Sequence, residues 1–133
     1  MATLRRLVWK RARGRCEYCG LAQTQSSLPL EIDHIRARKH RGPSTAENTC
    51  LACAYCNSAK ASNAAGYDPL TDKLVPLFDP RRDYWKDHFE WIGPVLKGRT
   101  EIGRATIEVL GINRPERVEH RRLLQKLRKR RRR

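Results

Sequence analysis

Cys16-Glu17-Tyr18-Cys19-Gly20 and Cys53-Ala54-Tyr55-Cys56-Asn57 give the chain two Cys-x-x-Cys pairs, and between them lie Glu31-Ile32-Asp33-His34-Ile35 and Glu47-Asn48. These are residue types that hold metal ions and move protons. Each Cys-x-x-Cys pair can set both thiolates on one side of a tight knuckle or helix start, and two pairs complete a closed tetrahedral shell for Zn²⁺. Gly20 suits the tight turn after Cys19. The competing reading is two disulfides, which needs an oxidising compartment. Against it, Cys50 makes the cysteine count odd, and Met1 to Lys10 is short, basic and interrupted rather than an apolar leader. The expectation is structural zinc on Cys16, Cys19, Cys53 and Cys56. Cys50, in the apolar run Cys50-Leu51-Ala52, reads as a small buried residue.

Taken in order across residues 14 to 62, Cys-x-x-Cys, Ile-Asp-His-Ile, Glu-Asn and Cys-x-x-Cys-Asn-x-x-Lys resemble the HNH endonuclease family in its zinc-containing form. The resemblance implies an α+β fold. Its core would be a small ββα-metal, treble-clef-like finger, two strands and a helix around one catalytic divalent ion, with zinc tying the ends together. It implies His34 as general base, Asn48 as the middle, structural asparagine, and Asp33 with Asn57 as protein ligands of a catalytic Mg²⁺ or Mn²⁺. The implied activity is hydrolysis of phosphodiester bonds, with DNA the expected substrate. The rival from another class is a zinc finger that docks nucleic acid without cutting it, and a weaker third is a zinc-stabilised assembly protein.

The chemistry agrees with that division of roles. Phosphodiester cleavage needs a deprotonated water in line with the leaving oxygen, and positive charge at the crowded anionic phosphate. An imidazole is suited to taking the proton. A carboxylate with an amide carbonyl makes a hard, incomplete oxygen shell of the kind Mg²⁺ or Mn²⁺ accepts. One geometric demand follows. Neighbours on a regular strand point to opposite faces, so Asp33 and His34 serve one site only near a strand end or bulge. The first strand, about Pro29 to Ile32, is therefore expected to end or distort there, and a regular strand through both residues counts against the assignment.

The charge balance, 29 basic against 14 acidic residues and a net +15, favours polyanionic partners. Arg36, Arg38, Lys39, His40 and Arg41, in the loop punctuated by Gly42-Pro43-Ser44, are candidates for a substrate clamp. His40 has the simpler reading of a solvated loop residue. Lys60, one helical turn after Asn57, is a candidate phosphate contact. Residues 121 to 133 hold nine basic side chains and no acid, so Arg128, Lys129 and Arg130 read as a nucleic-acid arm; the alternative is a self-repelling solvated tail. His88 and His120 read as structural or exposed.

These residues need a frame. The expected finger, with its N-terminal helix, covers residues 1–66. A helix from Thr3 to Arg13 packs by Leu4, Leu7 and Val8 and leaves Arg5, Arg6, Lys10, Arg11 and Arg13 outward. Thr49 to Ala52 is the return strand, and Ala54 to Ser62 the helix carrying Asn57 and Lys60. Residues 67–133 form an extension. It has a chain break at Ala64 to Pro69 and an edge strand or arm at Leu74 to Phe78. An aromatic cluster of Tyr84, Trp85, Phe89 and Trp91 serves as core or, alternatively, for base stacking. A hairpin turns at Gly93-Pro94. The last two helices are opened by Thr100, with Gly111 as a C-terminal stop, and by Asn113-Arg114-Pro115-Glu116, which resembles a capping box with proline in the first turn. No segment reads as a membrane span, and the resemblance with the cysteine usage points to a cytoplasmic setting of bacterial or phage origin.

Overall fold

Three antiparallel two-stranded sheets and five α-helices follow one another in the computed structural model, which describes residues 2–131. The helix α1, Ala2–Ala12, is basic on most of its surface and buries Val8, with Leu4 and Trp9 half-buried beside it. Leu7, expected in that stripe, stays 44% exposed. Arg11 corrects a second expectation. It turns inward, and its guanidinium donates to the backbone oxygens of Ala46 and Thr49, pinning α1 to the start of the return strand.

The knuckle follows. Gly20 adopts φ +79°, a left-handed conformation that glycine enters at little cost, and its N–H donates to Cys16 O. The strands β1 (Glu31–His34) and β2 (Thr49–Ala52) then pair antiparallel in the register Glu31 with Ala52, Ile32 with Leu51, Asp33 with Cys50 and His34 with Thr49. All four β2 residues are buried. The long connection between the strands is tied by Asn48. Its Oδ1 accepts from Arg36 N–H at 2.9 Å, and its Nδ2 donates to Arg36 O and Pro43 O at 3.0 and 2.8 Å. The helix α2, Ala54–Lys60, lies against β1, completing a ββα unit.

The expected break at Ala64 to Pro69 is in part a strand. β3 (Ala65–Tyr67) pairs with β4 (Leu74–Pro76), so the latter is no free arm. Gly66 makes this possible, because a Cβ there would lie 2.5 Å from the Val109 side chain. Buried Asp68 at the following turn takes two hydrogen bonds from Arg104, at 2.9 and 2.8 Å. A short helix α3 (Trp85–His88) leads into the hairpin β5 (Phe89–Ile92) and β6 (Val95–Gly98), turning at Gly93. The aromatic cluster divides: Phe89 is buried and Trp85 Nε1 donates to Tyr18 O at 2.9 Å, whereas Tyr84 and Trp91 stay 62% and 40% exposed; buried Phe78 packs edge-on to Tyr18. The helix α4, Glu101–Leu110, is capped by Thr100, whose hydroxyl accepts from Gly103 N–H, and stopped by left-handed Gly111. The last helix, α5, spans Pro115–Arg131, so the basic tail is helical as far as the described residues run; Arg132 and Arg133 lie outside them. Among the described residues no helix is long and apolar enough to cross a membrane.

Candidate functional site

Two groups of side chains converge on the ββα unit. The first is the sulfur cluster. The Sγ atoms of Cys16, Cys19, Cys53 and Cys56 all lie within 4.8 Å of one another, buried, and none is in a disulfide. Cys19 Sγ and Cys53 Sγ are 3.7 Å apart. A tetrahedral Zn²⁺ with bonds of about 2.3 Å requires an edge of about 3.8 Å, so the donor set and spacing fit that ion. The backbone supports the same reading. Cys19 N–H points at Cys16 Sγ (3.5 Å), and Cys56 N–H at Cys53 Sγ (3.4 Å) as the latter caps α2. Hydrogen bonds among the sulfurs, from Cys16 first, hold Cys53 far below an ordinary thiol.

A further contact comes from the far end of the chain. Arg117, at the start of α5 and 8% exposed, places its guanidinium 3.1 Å from Cys56 Sγ and donates to Leu110 O at 2.8 Å. Four thiolates around a dication leave two net negative charges out of water, and a buried charge is tolerated when it is paired and hydrogen-bonded. The sequence offered no signal for this pairing, since Arg117 is one of many arginines.

Cys50 stands apart from the cluster. Its Sγ lies 3.5 Å from Tyr18 Oη and 3.6 Å from Asp33 Oδ2, and burial, then the Asp33 charge, push its thiol well up. Cys50→Ala is expected to keep the zinc content of the wild-type chain, measured by a colorimetric chelator after thiol modification. Loss of metal in that variant alone would make Cys50 a ligand.

The second group sits where β1 ends and α2 passes over it. Here the expected break in the strand is absent. β1 runs regularly through Asp33 and His34, with Ile35 N–H still donating to Asn48 O. The reason is that Asp33 is satisfied inside. It is 5% exposed, accepts from Tyr18 Oη at 2.8 Å, and pairs with Lys60 Nζ at 3.2 Å. A buried carboxylate with a cation and a hydroxyl needs no bulge to escape. His34 is the last strand residue. By strand alternation its side chain leaves the opposite face from Asp33, which counts against the expectation that the two serve one site; its Nε2 is 2.8 Å from Ser44 Oγ in the loop that Asn48 ties down.

Lys60 corrects the expectation of a phosphate contact. It is 2% exposed, and besides Asp33 it donates to His34 O at 3.1 Å, so its ammonium is committed to the strand end. Asn57, half-buried on the same helix, donates Nδ2–H to Glu31 Oε2. Two rungs therefore join α2 to one face of β1: Asn57 to Glu31, and Lys60 to Asp33. Glu31 and Ser44 are candidate site residues that the sequence reading left without roles. Alternation from Asp33 could have flagged Glu31, which shares its face at i−2.

Of the basic loop residues, Arg38, Lys39, His40 and Arg41 are exposed, with Arg38–His40 forming a 3-10 turn. Arg36 donates to His40 O at 2.7 Å and shapes the loop. Arg128, Lys129 and Arg130 are exposed on α5, far along the chain from the catalytic candidates.

Residues 16–63 match the family model described as HNH endonuclease. The Septu protein PtuB of Bacillus thuringiensis is 25% identical over 116 residues, which cover 85% of this chain and 42% of that protein. The chain thus spans less than half the length of the curated relative it matches. No solved structure gives a significant match. With four cysteines gathered into a zinc-compatible cluster at the base of a ββα unit, residues 16–63 carry the domain that the HNH endonuclease family model describes.

Proposed function

We propose that the chain is a divalent-metal-dependent endonuclease that hydrolyses phosphodiester bonds, with DNA as substrate and a structural Zn²⁺ on the four cysteines. The observation that carries the reading is the placement of the motif residues around one strand end: His34 closes β1, Asn48 clamps the loop behind it, and Asn57 faces β1 from α2.

The roles follow from donors and acceptors. Ser44 Oγ lies at His34 Nε2. With the Nε2 proton given to that hydroxyl, Nδ1 keeps its lone pair and accepts the proton of the attacking water. Glu31, a carboxylate that can only accept, fixes the amide of Asn57 with its nitrogen inward, so that Oδ1 is turned away from Glu31. Among the described residues no hydrogen bond reaches that oxygen. Asp33 and Asn57 would hold a Mg²⁺ or Mn²⁺, the hard oxygen donors fitting such an ion. Asp33, on the face of β1 away from His34 and already held by Lys60 and Tyr18, would reach the ion only by sharing its carboxylate with them. Held there, such an ion would supply positive charge for the scissile phosphate and the leaving 3′ oxygen. Arg38, Lys39 and Arg41, exposed beside this strand end, hold the backbone of the substrate through charge.

The test is plasmid nicking. Cutting is expected with Mg²⁺ or Mn²⁺ and none after chelation, under conditions where the zinc stays bound. Glu31→Gln, which replaces the obligate acceptor by an amide, is expected to raise the Mn²⁺ concentration for half-maximal rate about tenfold, by analogy with other groups that orient metal ligands. Its Mn²⁺ affinity, read by electron paramagnetic resonance without DNA, should weaken in parallel. DNA binding with no cutting under any divalent ion would leave the non-catalytic finger standing instead.

A further inference from the structure

One cavity lies away from the strand end that holds His34. It is a groove of about 810 Å³ on the zinc side of the finger, where α2, the β5–β6 turn and α5 meet. Two large rings line it, Tyr55 at 46% and Trp91 at 40% exposure. Each has an arginine over one ring face, and both arginines also line the groove. The Arg117 guanidinium lies 5.6 Å from the Tyr55 ring centre, and that of Arg121 lies 5.2 Å from the Trp91 ring centre. Neither arginine is free to move away, because Arg117 is bound to Cys56 Sγ and Leu110 O, and Arg121 donates to Pro94 O at 2.6 Å and Ile112 O at 2.8 Å. Arg15 and Arg128 stand at the groove wall with no ion-pair partner among the described residues.

We infer that this groove binds a single-stranded segment of nucleic acid, its bases against Tyr55 and Trp91 and its phosphates near Arg15 and Arg128. The chemistry is specific to that ligand. Half-exposed rings with a cation over one face can stack a base on the exposed remainder, and arginines along the same groove attract the backbone. In a duplex the base faces are already stacked, so a paired segment cannot use the rings. The volume is in the range of about 300–1,000 Å³ that encloses small organic ligands, enough for a nucleotide-sized unit. A strand bound here would be held by the extension while the ββα unit acts on its substrate elsewhere. The inference rests on the nucleic-acid reading above, and the following measurement separates the two.

Fluorescence anisotropy is measured without divalent ions on a single-stranded oligonucleotide and on a duplex of the same sequence. The chain carrying Tyr55→Ala and Trp91→Ala is expected to bind the single strand at least about tenfold more weakly than wild type, with duplex affinity changed by less than about twofold. Phenylalanine at both positions should restore single-strand binding. An unchanged single-strand affinity, or an equal loss on both ligands, overturns the groove assignment. Wild-type binding to duplex but not to single strand also overturns the groove alone, and binding to neither removes the nucleic-acid reading with it. Should the alanine variant lose its zinc, tryptophan fluorescence decides. Quenching by the single strand in wild type that disappears in Trp91→Phe supports the groove, and quenching that persists there overturns it.

Discussion

His34→Ala is expected to slow plasmid nicking by about 10²–10⁴-fold, the usual contribution of a positioned proton acceptor. It should do so without loss of zinc or of DNA affinity. The imidazole is half-buried at the end of β1, and its ring hydrogen-bonds Ser44 rather than any cysteine. Removing it costs the fold one hydrogen bond, to Ser44. Zinc content, duplex anisotropy and nicking progress curves measured on the same preparation therefore separate a missing base from a damaged scaffold. Ser44→Ala should show the same pattern with a smaller loss, because Nε2 can still donate to water. Full activity in His34→Ala would falsify the proton-acceptor role and leave a zinc-tied finger that holds nucleic acid.

Removing the zinc should have the largest effect on stability. Structural zinc contributes about 10–16 kcal/mol in isolated finger peptides, against about 5–15 kcal/mol for the whole stability of an ordinary domain. Cys56→Ser should therefore unfold residues 16–60 rather than loosen them. The core explains the scale. Cys16, Cys19, Cys53 and Cys56 are themselves part of the single buried cluster that includes Tyr18, Leu30, Leu51, Phe78 and Phe89. Without the ion, thiolates or thiols are left packed where apolar neighbours should be. Circular dichroism and thermal melting, before and after a high-affinity zinc chelator, check this. A melt unchanged by full zinc release would mean that the apolar packing alone suffices.

The finger was legible because its constraints are local in sequence. Two Cys-x-x-Cys pairs fix where the knuckle turns and where α2 begins, and the apolar Thr49–Ala52 run between charged loops can only be a buried strand. The caps at Thr100 and Gly111 were equally readable. What escaped notice was pairing across long separations. Arg11, Lys60 and Arg117 are three of 29 basic residues. Nothing in their neighbours reveals that one holds the backbone of Ala46 and Thr49, another neutralises Asp33, and the third touches Cys56. The regular course of β1 through Asp33 was hidden for the same reason, since it depends on Lys60 and Tyr18 reaching the carboxylate. The strand at Ala65–Tyr67 was missed because Gly66 reads as a breaker. Its role, allowing close approach to Val109, exists only in the folded chain.

The hand that α5 lays on the sulfur cluster sets a limit on dissection. A chain cut where the family match stops would keep every cysteine yet lose Arg117, the cation held at Cys56 Sγ. The shortest autonomous folding unit around these cysteines is then longer than the motif, and swapping the C-terminal half between relatives should retune how tightly a metal is kept. Partner or strand binding along α5 would, by the same lever, be felt at the zinc.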